Sequence, residues 1–235
     1  LDARWCISLP HAADDTRRQD FSCAGWLFSA GHACHTMEMD YSKLPSKEIE
    51  RLALHVAPGA WAVERERPLS TLLGSCVTVC LFDPTAKLGG INHFMLPNIQ
   101  RSQHGDVDSL LSGDFAMEAL LNALLALGAR KTRIQAKDFG GGTIIDTSGQ
   151  SLSIGMRNAN FTREWLDREK IPLLASDFLG PWSRKVLFVP SNGVAFCRRM
   201  TTNMATASLI AREERAYAET LSQKPKAADN RVELF

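Results

Sequence analysis

Residues 75–96, SCVTVCLFDPTAKLGGINHFML, decide the fold of the central part of this chain. Two stretches rich in apolar and β-branched residues, 75–82 and 90–96, are separated by Asp83, Pro84, Thr85 and Ala86. An aspartate followed by a proline is typical of a type I turn, and two such stretches around a turn are typical of a β-hairpin. We therefore predict a hairpin whose turn consists of residues 83–86.

The sequence that follows alternates between helical and extended patterns. Apolar residues recur at helical spacing in 114–127, with Asp114 as N-cap and Gly128 as the stop, and again in 158–170. Extended stretches are predicted at 132–137, 173–175, 186–189 and 194–197, with a glycine loop at 139–142 and an Asn-Gly turn at 191–193. Hairpins mixed with crossover helices predict an α/β or α+β fold, a single layered sandwich of mixed sheets flanked by helices.

The chain divides into three segments by pattern. Residues 1–50 show no sustained period and are predicted to be a poorly ordered extension, before a folded domain at 51–204. Residues 205–235 are predicted to form an amphipathic helix, lying on the domain or on a partner, and a tail. The first segment contains a Cys and His group whose spacing matches no familiar zinc pattern, so we predict no metal site: Cys23, His32, Cys34 and His35.

Composition excludes several classes of function. The 235 residues contain 27 Lys and Arg against 26 Asp and Glu, a net charge of +1, which argues against nucleic acid as a partner. The longest apolar run, 115–127, is interrupted by Glu118 and Asn122, so no membrane insertion is expected. Without a signal-peptide pattern, and with six unevenly spaced cysteines, a cytoplasmic location is predicted.

Cys76 and His93 are the candidate catalytic pair. If the turn at 83–86 extends symmetrically, Cys76 lies directly opposite His93, and opposed β-carbons are about 4.5 to 5.5 Å apart. The imidazole would then act as the base for a thiol held at an accessible turn. A third group that orients the base is expected just upstream, where Ser70 and Thr71 are both available. Cys80 and Cys197 are interpreted as small buried hydrophobic residues.

These residues carry a family resemblance. The run STLLGSCVTVCLFDPTAKLGGINHFMLP, residues 70–97, resembles the signature of the CheD family, the chemoreceptor glutamine deamidases of bacterial chemotaxis. Further similar segments are LLALGA at 124–129, KDFGGG at 137–142, IGMRNA at 154–159, IPLLASDFLGPWSRKV at 171–186 and VELF at 232–235.

The resemblance implies both a fold and a site. The fold is a layered sandwich similar to the catalytic domain of cytotoxic necrotizing factor toxins. The site is a Cys-His-Thr triad, in which Cys76 is the nucleophile, His93 the base and Thr71 the preferred hydroxyl, with Ser70 as the alternative. Backbone groups near Gly74, Ser75, Gly140 and Gly141 are candidates for the oxyanion or substrate loop.

The implied activity is hydrolysis of glutamine side-chain amides on methyl-accepting chemotaxis receptors, through a cysteine thioester and with release of ammonia. No cofactor is predicted, because this chemistry needs none. Methylesterase activity on receptor methyl esters is a second implication, since an ester leads to the same thioester. Two alternatives stay open: a regulatory protein that docks on receptors or on a CheC-type response-regulator phosphatase with little catalysis, and a general cysteine peptidase.

Overall fold

The computed structural model describes residues 6–8, 41, 44–96, 105–143, 154–200, 208, 210, 212–217 and 219. The strands are β1 Cys6–Ser8, β2 Leu54–His55, β3 Trp61–Glu64, β4 Leu69–Leu73, β5 Val77–Asp83, β6 Leu88–Asn92, β7 Gln135–Gly140, β8 Leu173–Phe178, β9 Ser183–Val189 and β10 Val194–Met200. The helices are α1 Ser46–Leu52, α2 Gly105–Ala126 and α3 Ile154–Arg168, with a short 3₁₀ turn at Lys131–Arg133.

Two five-stranded sheets form the centre of the molecule. The first sheet has the order β1-β10-β9-β4-β2, and the second has the order β3-β6-β5-β7-β8. Each is mixed, because β2 pairs parallel with β4 and β7 pairs parallel with β8, whereas the other ladders are antiparallel. This arrangement confirms the predicted α+β class of mixed sheets with flanking helices.

Three apolar clusters separate the layers. The cluster between the two sheets contains side chains of β4, β9 and β10 from one sheet and of β5, β6 and β7 from the other. A second cluster joins the opposite face of the second sheet to α2 and α3. A third covers the outer face of the first sheet, where Ile49 of α1 is fully buried. The alternation of the strands explains this layering, because successive side chains point to opposite faces.

The central hairpin forms, but its register differs from the predicted one. Asp83 pairs with Leu88 and Cys80 with Ile91, so that paired positions sum to 171 rather than 169. The stretch between the paired residues is two residues longer because the Asp83 carboxylate accepts hydrogen bonds from the backbone N–H groups of Thr85 and Ala86 at 3.0 and 3.1 Å. Lys87 then adopts a left-handed φ of 48° before β6 begins. The predicted turn at 83–86 was therefore wrong, because Asp83 ends β5 and the turn consists of residues 84–87.

Most other predicted elements form with shifted ends. Gly128 stops α2 with a φ of +100°, as predicted, but the helix begins at Gly105, so Asp114 is not its N-cap and pairs with Arg168 instead. Strand β7 continues through Gly140, so the irregular glycine loop begins at Gly141. At the Asn-Gly turn, Gly193 has the expected positive φ of +71°.

Parts of the predicted N-terminal extension have regular structure. Residues 6–8 pair with β10 as an edge strand, and α1, which begins inside this segment at Ser46, packs on the first sheet. The division of the chain at residue 50 stays a prediction. The metal-type group at residues 23–35 and the VELF segment at 232–235 lie outside the described residues. The described part of 205–235 is helical and is called the C-terminal helix here: residues 208, 210, 212–217 and 219.

None of the helices in the described part of the chain is long and apolar enough to cross a membrane.

Candidate active site

Thr71 and His93 meet across the space between the two sheets. Thr71 lies in β4 and His93 directly follows β6, and both side chains are buried. The hydroxyl oxygen of Thr71 lies 2.8 Å from Nδ1 of His93. Ser70, the other hydroxyl considered, is adjacent in β4 and therefore points to the opposite face of the first sheet. The contact favours Thr71 over Ser70 as the partner of the imidazole.

Hydrogen bonding fixes the tautomer of His93. The Thr71 hydroxyl donates its one hydrogen to the Val56 carbonyl oxygen at 2.8 Å, so at Nδ1 it can only accept. Nδ1 of His93 therefore carries the hydrogen, and Nε2 of the neutral ring has a free lone pair. Nε2 is buried and has no hydrogen-bond partner among the described residues. Burial lowers the pKa of His93 to about 4, so the ring is neutral at pH 7 and can accept a proton.

Cys76 lies in the turn between β4 and β5, on the same sheet face as His93. By the observed register it falls opposite Met95, since Val77 forms a bridge with Phe94. Cys76 and His93 are therefore diagonal neighbours and not the directly opposed pair that a symmetric turn predicted. Diagonal positions are roughly 7 to 8 Å apart, a separation that an imidazole side chain can span.

The thiol is not at an accessible edge in this state. Cys76 has no exposed surface, which corrects the prediction of an accessible turn. Burial and the neighbouring Glu214 carboxylate raise the pKa of the Cys76 thiol well above its usual range. Cys80 and Cys197 are buried in the layer between the sheets, as predicted.

Three hydrogen bonds to backbone carbonyl oxygens help to hold the loop that carries Cys76. Backbone N–H groups of Gly141 and Gly142 donate to the carbonyl oxygens of Cys76 and Gly74, each at 2.8 Å. The Asn158 side chain donates to the Ser75 carbonyl oxygen at 2.8 Å. The Gly141 N–H thus holds the loop, and the oxyanion or substrate role considered for this glycine stays a prediction.

Gly140 supports the same loop through close approach. It has a φ of +118°, and a β-carbon at this position would collide with the Cys76 carbonyl oxygen. Only glycine combines this conformation with this contact. Gly140 and Gly141 therefore position the cysteine loop, which is a different use from the substrate contact considered for them.

Gly74, Ser75 and Cys76 converge on one acceptor, the carboxylate of Glu214. Its Oε1 atom accepts hydrogen bonds from the backbone N–H groups of Gly74 at 3.1 Å and Cys76 at 2.9 Å. Its Oε2 atom accepts one from the Ser75 hydroxyl at 2.6 Å. Two backbone amides that bind one charged oxygen beside a thiol have the geometry of an oxyanion hole.

Two residues of this site, Asn158 and Glu214, are missing from the sequence prediction. Asn158 stands in the IGMRNA segment, which the family resemblance had singled out without assigning a role to the amide. Glu214 lies in the C-terminal helix between two apolar residues at helical spacing, Ile210 and Tyr217. A glutamate on the apolar side of a helix was the available signal.

Comparison with known proteins gives a consistent result. The family model described as CheD chemotactic sensory transduction matches residues 95–199. A protein of Dechloromonas aromatica named "Probable chemoreceptor glutamine deamidase CheD 2" is 75% identical over 84% of this chain and 100% of its own length. Relatives with the same kind of name are 44% identical in Burkholderia thailandensis, over 84% of this chain and 100% of theirs, and 41% identical in Shewanella oneidensis, over 80% and 90%. This chain therefore belongs to the CheD family.

Proposed function

We propose that the chain hydrolyses the side-chain amide of glutamine residues on chemoreceptors, with Cys76 as nucleophile, His93 as base and Thr71 as the residue that orients the base. One observation carries the proposal: the amides of Gly74 and Cys76 converge on a single carboxylate oxygen beside the thiol. A substrate carbonyl oxygen in the same position would become negative when sulfur attacks its carbon. The names of the relatives supply the substrate class.

The chemistry follows from the protonation state of His93. Nε2 takes the thiol proton, and the thiolate attacks the carboxamide carbon while the two amides stabilise the oxyanion. Ammonia leaves with a proton from the imidazolium, and a thioester remains. Nε2 then removes a proton from water, which hydrolyses the thioester to glutamate and restores the thiol.

The test uses a receptor fragment that contains the target glutamines. Wild type should convert them to glutamate, a mass increase of about 1 Da per site, and Cys76→Ala should lower the rate by at least about 1,000-fold. Cys80→Ala is the matched control, because Cys80 is an equally buried thiol on the same sheet face. Equal conversion by wild type and Cys76→Ala would remove Cys76 as the nucleophile.

Methylesterase activity is the related finer proposal. A methylated fragment would pass through the same thioester and release methanol, and the same Cys76→Ala variant should abolish that release. Cleavage of the fragment's backbone in this assay would instead indicate a peptidase.

The complete burial of Cys76 favours a second candidate function, a regulatory binding protein. Such a protein would dock on receptors or on a CheC-type phosphatase and convert little substrate. Tight binding of the fragment without any change in its mass, by wild type and Cys76→Ala alike, would support this candidate.

A further inference from the structure

The C-terminal helix covers the candidate active site with one of its faces. Ile210 and Glu214 are buried and Tyr217 packs against the cluster between the sheets. These positions are four and three residues apart, so they lie on one side of the helix. Exposed residues occupy the remaining described positions apart from Glu213, which is half-buried: Ser208, Arg212, Arg215, Ala216 and Glu219. The helix is therefore held to the domain from one side.

Glu214 uses the same donors that the proposed reaction assigns to substrate. From this we infer that the Glu214 carboxylate occupies the place of a substrate glutamine side chain, so that the C-terminal helix closes the active site as a tethered product. This inference rests on the proposed function. The reaction would leave a glutamate side chain in the site, and a carboxylate has the same planar shape as a carboxamide.

The two carboxylate oxygens match the two ends of a carboxamide. Oε1, which accepts from the amides of Gly74 and Cys76, corresponds to the carbonyl oxygen. Oε2, at 2.6 Å from the Ser75 hydroxyl, corresponds to the nitrogen that leaves or to the water oxygen that replaces it. The hydroxyl can donate to an oxygen and accept from an amide nitrogen, so it suits both occupants.

The closed arrangement is a resting state. A carboxylate beside a thiol opposes formation of the thiolate, and Glu214 contributes to the raised pKa of Cys76. The same helix also contacts the backbone next to His93. Tyr217 lies against Gly59, whose N–H donates to the His93 carbonyl oxygen at 2.8 Å. One element thus contacts both the loop of the nucleophile and the backbone segment next to its base.

The C-terminal helix must move away from the site before a substrate can react. The way in which Glu214 occupies the site indicates which kind of substrate can replace it. Glu214 enters the site from the side of a helix, so the site accepts a side chain that a helix presents. A tethered group competes at an effective concentration that reaches the millimolar range for short linkers. A glutamine on a separate helix must overcome this competition, and weakening the tether should raise activity at low substrate concentration.

The sharpest test converts the tethered product into a tethered substrate. In full-length Glu214→Gln, the new amide should lie beside Cys76 and be hydrolysed to glutamate, a gain of about 1 Da in the peptide that contains residue 214. The double variant Glu214→Gln with Cys76→Ser should keep its glutamine, and Glu219→Gln should keep its own glutamine on the exposed side of the same helix. If a Glu214→Gln preparation deamidates the receptor fragment but leaves its own amide at position 214 unchanged, the inference alone is overturned.

A second measurement needs no catalysis. Alkylation of Cys76 by iodoacetamide, followed by peptide mass spectrometry, should be at least about tenfold faster in Glu214→Ala than in wild type or Glu219→Ala. Equal rates in all three proteins would overturn the closed state. Faster alkylation in Glu214→Ala, with no deamidation of the receptor fragment by any variant, would instead contradict the proposed function. It would still support the conclusion that the C-terminal helix covers Cys76.

Discussion

The two ends of strand β5 are both held by a buried carboxylate, but in different ways. At one end Asp83 belongs to the strand itself and binds the backbone N–H groups of Thr85, Ala86 and Arg130. The Arg133 guanidinium completes this cluster, with its closest nitrogen 2.7 Å from the carboxylate. At the other end Glu214 comes from a helix 138 residues further along the chain than Cys76.

The difference lies in the neutralisation of the charge. Burial alone would raise the pKa of Asp83, yet hydrogen bonds from Arg133 and the backbone N–H groups lower it to about 2. No Lys or Arg pairs with Glu214 in the part of the chain that the structure describes. A carboxylate with a cation beside it is a fixed part of the fold, whereas one held only by neutral donors can be exchanged for another acceptor.

The largest expected effect is on stability at the Asp83 end. Asp83→Ala should lower the free energy of unfolding by at least about 3 kcal/mol, because it leaves a guanidinium and three backbone N–H groups without their acceptor. Urea denaturation at pH 7 measures this change. A loss below about 1 kcal/mol would mean that this end is no more fixed than the other.

The acid dependence of stability should separate Asp83 from His93, which lies near the cysteine end of β5. His93 has a folded pKa of about 4, below its unfolded value of about 6.5, so its contribution is complete above the unfolded pKa and is lost as pH falls toward 4. The loss is about 3 kcal/mol and should be absent in His93→Gln. Asp83 contributes about 2 kcal/mol, which disappears only at lower pH, between about 4 and 2. Urea titrations at pH 7, 4 and 3 would detect both windows; identical profiles for wild type and His93→Gln would contradict the first.

A smaller effect is expected on catalysis at Thr71. Thr71→Val keeps the shape of the side chain but removes the acceptor of the Nδ1 hydrogen, so kcat on the receptor fragment should fall about tenfold, equivalent to about 1.4 kcal/mol. Thr71→Ser should restore most of the rate. Ser70→Ala is the matched control, and a larger loss in Ser70→Ala than in Thr71→Val would assign the orienting role to Ser70.

The smallest effect is expected from Glu214→Ala on global stability. The free energy of unfolding should change by less than about 1 kcal/mol, because water replaces the carboxylate once the helix separates from the loop. The same urea experiment as for Asp83→Ala gives a direct comparison. A loss as large as that of Asp83→Ala would show that the C-terminal helix is a fixed part of the core.

The sequence predicts which residues share a face better than it predicts which residues are opposed. Alternation along 75–82 places Cys76 and Cys80 on one side of the sheet, as the structure does, because this depends only on the period of a strand. The register depends on the turn, and there the Asp83 side chain captures two backbone N–H groups that symmetric pairing would have left free. A hydrogen bond from the backbone to a side chain of this kind cannot be predicted from the pattern of apolar residues.

Contacts between distant segments set the other limit. The helix end at Gly128 and the Asn-Gly turn were predictable, because each depends only on the backbone conformation that the glycine itself adopts. Glu214 and Asn158 reach the cysteine loop from 138 and 83 residues away, measured to Cys76 and Ser75. The sequence marks Glu214 as a glutamate on the apolar side of a helix and Asn158 as part of the IGMRNA segment, but it does not indicate which loop either side chain contacts. Their roles therefore required the tertiary structure.

Asn158 also makes a second contact, and that contact affects how the protein can be controlled. While its nitrogen binds the Ser75 carbonyl oxygen, its oxygen accepts the Leu96 N–H at 2.8 Å, three residues after His93. The side-chain amide of Asn158 therefore links the loop that carries Cys76 to the segment that follows His93, and fixes the distance between them. Cys76 and His93 should therefore keep a fixed relative position. A signal that regulates this protein would then act by controlling the access of substrate to the site rather than by distorting the site.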